Sequence, residues 1–256
     1  MNQIKILARL LTLLTSCLFS AQEAYSEMLH FESTGTRIGL TELYTSEGCS
    51  SCPPAEHWFS RFTKDPELWT SRFPIAFHVD YWDYLGWKDP FSDKKFSTRQ
   101  RLYKHYDHTQ RIATPGFVVN GSGWNGWFRG QNVPTAEKDD HVGILRLNVE
   151  KTEGNARSSL SFSPTRRFNS LVAHIALLGF DIQVPIKAGE NRGKNLRHDF
   201  VVLKHVSHPM NSSDKKWQSE LDISVPKAYR KQRKAIVAWL SERDDPKPIQ
   251  VTGGWY

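Results

Sequence analysis

The chain has 256 residues, of which 39% are hydrophobic, enough for one large domain or two small domains with sizeable cores. Its 34 basic and 27 acidic side chains give a modest formal net charge of +7. No nucleic-acid-binding motif accompanies this excess, which indicates a solvated basic face and no nucleic-acid partner. No nucleotide-binding motif or Ser-His-Asp order stands out either, so dehydrogenase and hydrolase functions have little support, and no cofactor is predicted.

Residues 1–26 are predicted to be a secretory signal peptide. Lys5 and Arg9 make a short positive region, an apolar run over 10–19 follows, and small residues end the segment. At about ten residues, the run is shorter than the roughly 18 needed to span a membrane. We therefore expect a periplasmic or secreted mature protein without a membrane span. In an alternative that stays open, the residues ending at Cys17 resemble a lipoprotein cleavage box, and Cys17 would then carry a lipid anchor.

Two cysteines, Cys49 and Cys52, lie between a β-prone run at 38–45 and a helical pattern. The helical pattern is an apolar stripe at i, i+3, i+4 and i+7, formed by Ala55, Trp58, Phe59 and Phe62. Two prolines directly after Cys52 suit a first helical turn, where no intrahelical donor is lost. The predicted order is therefore strand, CxxC, helix.

This placement favours thiol–disulfide chemistry at Cys49 and Cys52. The free N–H groups at a helix start stabilise a thiolate, so Cys49 is expected to attack and Cys52 to resolve. A structural disulfide and half of a zinc site are the alternatives, but zinc would need further ligands, and the only other cysteine is Cys17. In an oxidising compartment the two cysteines should be joined.

A second apolar run, 73–80, is typical of a parallel strand covered on both faces. It ends in His78 and Asp80, and sites in open α/β sheets form beyond such strand ends. His78 or Asp80 could exchange a proton with Cys49, or could be a hydrogen-bonded core residue and a loop cap. The aromatic loop that follows, with Trp82, could line a substrate groove or pack on the protein body.

A helix is then predicted from Ser92, as N-cap, to Tyr106. After it, Thr114 and Pro115 directly precede an apolar strand. That strand ends in Asn120-Gly121, a pair that favours a type I′ hairpin turn.

Three segments together resemble a secreted thioredoxin-like family that is classed as a domain of unknown function. They are ELYTSEGCSSCPPA at 42–55, FHVDYWDYLGWKDPF at 77–91, and Thr114-Pro115. A later segment, 186–196, is similar to the second half of that family, so the resemblance covers nearly the whole mature chain. The resemblance implies a thioredoxin-like fold with a redox centre at Cys49 and Cys52. It also implies a cis Pro115 that abuts the Cys pair and presents backbone to a substrate.

The second half shows short alternating runs separated by turn clusters, as in Leu145, Leu147 and Val149. We expect an α/β thioredoxin-like domain over 30–140, followed by a mostly β, sandwich-like C-terminal domain over 145–256. Residues 189–193 are most simply a turn.

Three functional hypotheses follow for the Cys pair. The first is a thiol–disulfide oxidoreductase with a protein thiol or disulfide as its partner. The second is a metal-handling protein in which the two thiols and His78 or His57 bind Cu(I). The third is a binding protein that uses the disulfide only as a structural staple.

Overall fold

The computed structural model describes residues 27–136, 140–152 and 154–256. The predicted signal peptide and Cys17 lie outside these residues. Within them, no helix is long and apolar enough to cross a membrane.

The first half of the chain contains both α-helices of the described residues and five strands. The elements are β1 (Glu27–Glu32), β2 (Gly39–Thr45), α1 (Cys52–Phe59), β3 (Arg72–His78), α2 (Lys94–His105), β4 (Gly116–Val119) and β5 (Ser122–Trp124). Short 3₁₀ turns span Ser60–Lys64, Asp83–Leu85 and Gly126–Arg129.

The second half is built from strands, apart from one 3₁₀ turn at Lys227–Tyr229. The first five are β6 (Gly143–Thr152), β7 (Asn155–Pro164), β8 (Leu171–Gly179), β9 (Ile182–Pro185) and β10 (Asn195–His198). The other five are β11 (Val201–Pro209), β12 (Asn211–Ser213), β13 (Lys216–Ser224), β14 (Lys234–Glu242) and β15 (Pro248–Trp255).

These strands form two large sheets and one hairpin. The eight-stranded sheet has the order β15-β14-β8-β11-β3-β2-β4-β5, and the five-stranded sheet has the order β1-β6-β7-β13-β12. Strands β9 and β10 pair with each other. In the larger sheet, β2 and β3 are parallel, and β11 joins β3 in parallel at Val201 and Ala76.

The predicted fold class, an α/β thioredoxin-like domain followed by a β-rich domain, is wrong. The chain is mostly β, with fifteen strands and two α-helices in the described residues. The prediction placed β3 in a thioredoxin-like domain formed by the first half alone. A strand edge must find hydrogen-bond partners, however, and sequence does not show which strand supplies them. The backbone N–H of Ala76 donates to Phe200 O from the second half. The predicted division into 30–140 and 145–256 stays a prediction, and strands from both ranges share this sheet.

Several local predictions are confirmed. Helix α1 begins at Cys52 with proline in its first turn. Asn120 and Gly121 have φ values of 52° and 82° between β4 and β5, as a type I′ turn requires. The alternating residues Leu145, Leu147 and Val149 are all buried in β6. One detail differs, because Asp93, not Ser92, caps α2 by accepting a hydrogen bond from the N–H of Lys95.

The core has two main parts. One fills the space between the five-stranded sheet and β8 and β14, with residues such as Phe162 and Ile175. The other lies around β2 and β3 and under α1, where Phe59, Phe73 and Phe77 are fully buried. Every residue of β2 is buried, as expected of a strand that is covered on both faces.

One ion pair lies inside this second part. Glu42 of β2 accepts two hydrogen bonds from the guanidinium of Arg99 on α2, at 2.8 and 2.9 Å. The hydroxyl groups of Tyr44 and Tyr103 also donate to Glu42, and Arg99 donates to Pro246 O at 3.1 Å. The group therefore fixes α2 and the segment before β15 to the middle of the sheet, with every charge paired.

We expect Arg99→Met to lower the free energy of unfolding by about 3–5 kcal/mol, because it leaves the Glu42 carboxylate buried without a cation. Arg101→Met, on the exposed face of the same helix, should change it by no more than about 0.5 kcal/mol. Guanidinium denaturation of both variants measures the difference. A loss for Arg99→Met as small as that of the control would contradict the structural role given to the pair.

Candidate functional site

The two cysteines are joined in a disulfide where the chain passes from β2 to α1, as expected. Their Cα atoms are 5.5 Å apart. Cys49 lies in the loop of residues 46–51, here called the Cys loop, and Cys52 is the first residue of α1. Both are deeply buried, with 1% of Cys49 and none of Cys52 exposed, although Ser50 and Ser51 between them are exposed.

Cys49 lies against the Thr114-Pro115 segment, as the sequence predicts. Its Sγ is 3.7 Å from Thr114 O and 3.3 Å from the hydroxyl of Ser51. The Thr114–Pro115 peptide bond is cis. The fold therefore brings together three of the predicted site residues, Cys49, Thr114 and Pro115, from positions far apart in sequence.

Trp82 covers the same region from the aromatic loop. Its Nε1 donates a hydrogen bond to the hydroxyl of Thr114 at 2.7 Å. The contact depends on Gly48, since a Cβ atom there would lie only 2.9 Å from Cβ of Trp82. A substrate-contact role for Trp82 remains a prediction, but its place beside the Cys loop matches it.

The 189–193 turn clamps the Cys loop from the other half of the chain. The side-chain amide of Asn191 donates to Glu47 O at 2.8 Å and to Cys49 O at 2.9 Å. The carboxylate of Glu190 accepts a hydrogen bond from the N–H of Ser50 at 2.9 Å. Hydrogen bonding from Ser50 also lowers the pKa of the exposed Glu190. The segment is more than the simple turn that its composition suggests.

A buried polar group lies behind the Cys loop and is centred on His198, at the end of β10. Its Nε2 is 2.9 Å from Glu47 Oε1, and its Nδ1 is 2.6 Å from Glu56 Oε2. Burial alone would lower the pKa of His198, but the negative charge of Glu56 and the hydrogen bonds with Glu47 and Glu56 raise it to about 10. His198 is therefore a cation held between two carboxylates.

His78 belongs to the same buried group. Its Nδ1 is 2.7 Å from Asp89 Oδ2, and its ring centroid is 5.1 Å from that of His198. Burial opposes protonation of His78, but the charge of Asp89 outweighs it and raises the pKa. Asp89 also accepts a hydrogen bond from the N–H of Glu47, which ties His78 to the residue two positions before Cys49.

His78 and Asp80 have different hydrogen-bond partners, Asp89 for His78 and Ser97 for Asp80. The hydroxyl of Ser97 on α2 donates a hydrogen bond to the Asp80 carboxylate. The backbone N–H of Asp80 donates in turn to the hydroxyl oxygen of Ser97, as expected of a loop cap. In the part of the chain that the structure describes, neither side chain hydrogen-bonds a cysteine. Proton transfer by either residue stays a prediction.

Sequence reasoning did not identify Asn191 or His198 as site residues. Each contacts a partner more than a hundred positions away, for example His198 with Glu56. No motif spacing encodes such a contact. The one available signal was the similarity of 186–196 to the family's second half, and it names no role for these residues.

A groove of about 1030 Å³ borders the Cys loop, and no residue of the buried polar group lines it. Ser51, Pro54, Thr114 and Pro115 line the end near the disulfide. Further along, its wall includes the aromatic side chains of Phe117, Trp124, Trp127 and Phe128, beside the polar segment 107–111. Phe128 is 63% exposed, so the groove presents apolar surface to solvent.

Comparison with known proteins gives a family and a fold. A family model described as "Protein of unknown function (DUF1223)" matches residues 40–241. No curated protein sequence matches significantly. A structural-genomics target protein from Agrobacterium tumefaciens is 17% identical, with a TM-score of 0.54, over 87% of this chain and 96% of its own. HBP35 of Porphyromonas gingivalis is 13% identical, with a TM-score of 0.60, over 86% and 76%. At such identities, these two structures show likeness of fold alone.

We expect Asn191→Ala to lower the free energy of unfolding by about 1–3 kcal/mol, because two buried carbonyl groups lose their donor. It should also speed reduction of the disulfide by dithiothreitol, since the loop around Cys49 opens more often. The control is Asn195→Ala, because the exposed Asn195 amide bonds only the side chain of Gln183. Equal reduction rates in the two variants would show that the turn does not hold the loop closed.

Proposed function

The chain belongs to the family described as protein of unknown function (DUF1223), and we propose that it is a thiol–disulfide oxidoreductase that uses Cys49 and Cys52. The observation that carries the proposal is the placement of the disulfide at the start of α1 and at the end of an apolar groove. The predicted signal peptide supports a periplasmic or secreted location, where such a pair is stable in its oxidised form.

The exchange proceeds through a mixed disulfide with a protein partner. A partner thiolate attacks Sγ of Cys49, the Cys49–Cys52 bond breaks, and Cys52 leaves as a thiolate. A second partner thiolate then attacks the partner sulfur bound to Cys49. That step releases reduced Cys49 and an oxidised partner, so the pair takes up two electrons. In the reverse direction, the Cys49 thiolate attacks a partner disulfide and Cys52 resolves the intermediate.

The groove suits an extended polypeptide bearing the reacting sulfur. Backbone groups at Thr114 lie beside Cys49, and the aromatic wall offers apolar surface for side chains that flank the partner cysteine. Ser51 is the exposed polar side chain nearest to Sγ of Cys49 in this groove. These features support a protein substrate in preference to a small thiol.

A specific observation favours a second candidate, a binding protein with a purely structural disulfide. Only 1% of Cys49 is exposed, so a partner sulfur reaches it only when the surrounding loop opens. The two candidates therefore differ in whether the loop held by Trp82 and Asn191 opens readily under native conditions.

We expect the Cys49–Cys52 pair to have a reduction potential between about −120 and −270 mV, with a Cys49 thiolate pKa below about 7.5. Equilibration in glutathione buffers gives the potential, and the pH dependence of alkylation gives the pKa. In the Cys52→Ser variant, alkylation reports on Cys49 alone. The Cys49→Ser variant gives the background alkylation in the absence of Cys49. A potential below about −300 mV with an unreactive Cys49 would leave the structural disulfide as the function of the pair.

We expect Phe128→Ala to raise KM for oxidation of a reduced, unfolded protein by about threefold to tenfold, since an exposed aromatic side chain of the groove is lost. The rate with dithiothreitol should stay unchanged, because a small thiol does not use the groove wall. Tyr84→Ala removes an aromatic side chain that is 79% exposed and is not among the groove-lining residues, and it serves as the control. Equal KM values for the two variants would exclude the groove as the substrate site.

A further inference from the structure

Three buried side chains behind the Cys loop converge without belonging to the proposed exchange reaction. They are Glu56 of α1, His78 at the end of β3 and His198 at the end of β10. Each offers one ligand atom, and these atoms lie within 4.8 Å of one another. We propose that Glu56, His78 and His198 bind a divalent transition-metal ion of the zinc class, independently of the cysteines.

The free nitrogen of His78 is the first indication. Its Nδ1 is engaged by Asp89 at 2.7 Å, while Nε2 is buried and has no hydrogen-bond partner among the described residues. A buried polar atom without a partner is costly and calls for a ligand. In the neutral imidazole, the Asp89 carboxylate holds the proton on Nδ1 and leaves the lone pair on Nε2, as carboxylates do for metal-binding histidines.

The other two ligands are oriented in the same way. Glu47 engages Nε2 of His198 at 2.9 Å, so Nδ1 is the nitrogen that faces the site. The hydroxyl of Thr45 donates to Oε1 of Glu56 at 2.5 Å, so Oε2 faces His198 Nδ1 at 2.6 Å. Every candidate ligand thus has its second polar atom held by a neighbouring side chain, which is the outer-shell arrangement of protein metal sites.

The charge of the group also favours a dication. Three carboxylates, from Glu47, Glu56 and Asp89, are buried with only two imidazoles. With both imidazoles protonated, the group has a net charge of −1. A dication bound to two neutral imidazoles gives the same net charge, so the metal replaces two protons without leaving further charge uncompensated.

An entry path leads to Glu56 from solvent. A cavity of about 650 Å³ lies between α1 and the β9–β10 hairpin, and Glu56 lines it together with His57 and Asp199. One carboxylate oxygen of Asp199, Oδ2, is buried and lies 3.5 Å from the guanidinium of Arg197, which also lines the cavity. A cation entering this cavity therefore meets the carboxylates of Asp199 and Glu56, the first of them shared with Arg197.

The donor set selects among metals. Two imidazole nitrogens and one carboxylate oxygen suit Zn²⁺, Co²⁺ and neighbouring transition ions. Ca²⁺ and Mg²⁺ prefer sites built from oxygen atoms and should bind poorly. Cu(I) prefers thiolates, and those are held in the disulfide.

The test is isothermal titration of the oxidised, metal-free mature chain with Zn²⁺. We expect one equivalent to bind with micromolar or tighter affinity and Mg²⁺ not to bind. His198→Gln and Glu56→Gln should abolish binding, and Asp89→Asn should weaken it by about 10- to 100-fold. His57 lines the same cavity but does not belong to the cluster, so the His57→Gln variant should bind Zn²⁺ as the wild type does.

Two further measurements keep the proposal falsifiable if a variant fails to fold. The Co²⁺-loaded wild type should show ligand-field bands without a thiolate charge-transfer band. The Cys49→Ser/Cys52→Ser double variant should retain Zn²⁺ binding, a result that is independent of redox activity. Absence of Zn²⁺ binding to the wild type, loss of binding in the double variant, or a thiolate band would each overturn the proposal.

Discussion

The interaction on which the arrangement of the site depends is the imidazolium of His198 between the carboxylates of Glu47 and Glu56. Glu47 belongs to the Cys loop, Glu56 to the helix that follows it, and His198 to the second half of the chain. Removing any one of these three side chains would leave a buried charge uncompensated, so the three stabilise the structure only together. This buried contact fixes the distance between the Cys loop and α1. The side-chain amide of Asn191 holds the loop backbone through its hydrogen bond to Cys49 O.

The Cys loop therefore has two faces of opposite chemistry. Toward the groove lie Thr114, Pro115 and aromatic rings, the surface that we propose as the polypeptide-binding side. Toward the interior lie carboxylates and imidazoles, a surface that suits protons and metal ions. The loop can respond to both faces, because Glu47 is one residue removed from Gly48 and two from Cys49. A change of charge behind the loop would reach the disulfide through this short backbone path.

Sequence reasoning predicted the local features well, because short-range chemistry determines them. The prolines after Cys52 mark the start of α1, and Asn120-Gly121 marks the turn between β4 and β5. The disulfide between Cys49 and Cys52 was predictable because the chain has only one other cysteine, Cys17. The pairing of β11 with β3, and the contact of His198 with Glu56, depend instead on tertiary packing between distant segments. For that reason the fold class was wrong although most of the local elements were right.

The junction between β3 and β11 has a consequence for how the protein is made. Ribosomes deliver β3 long before β11, so during synthesis one edge of the growing sheet has unpaired N–H and C=O groups. An exposed strand edge of this kind invites aggregation with other nascent chains. A polypeptide with this topology benefits from being kept unfolded by a chaperone until its last strands have been synthesised.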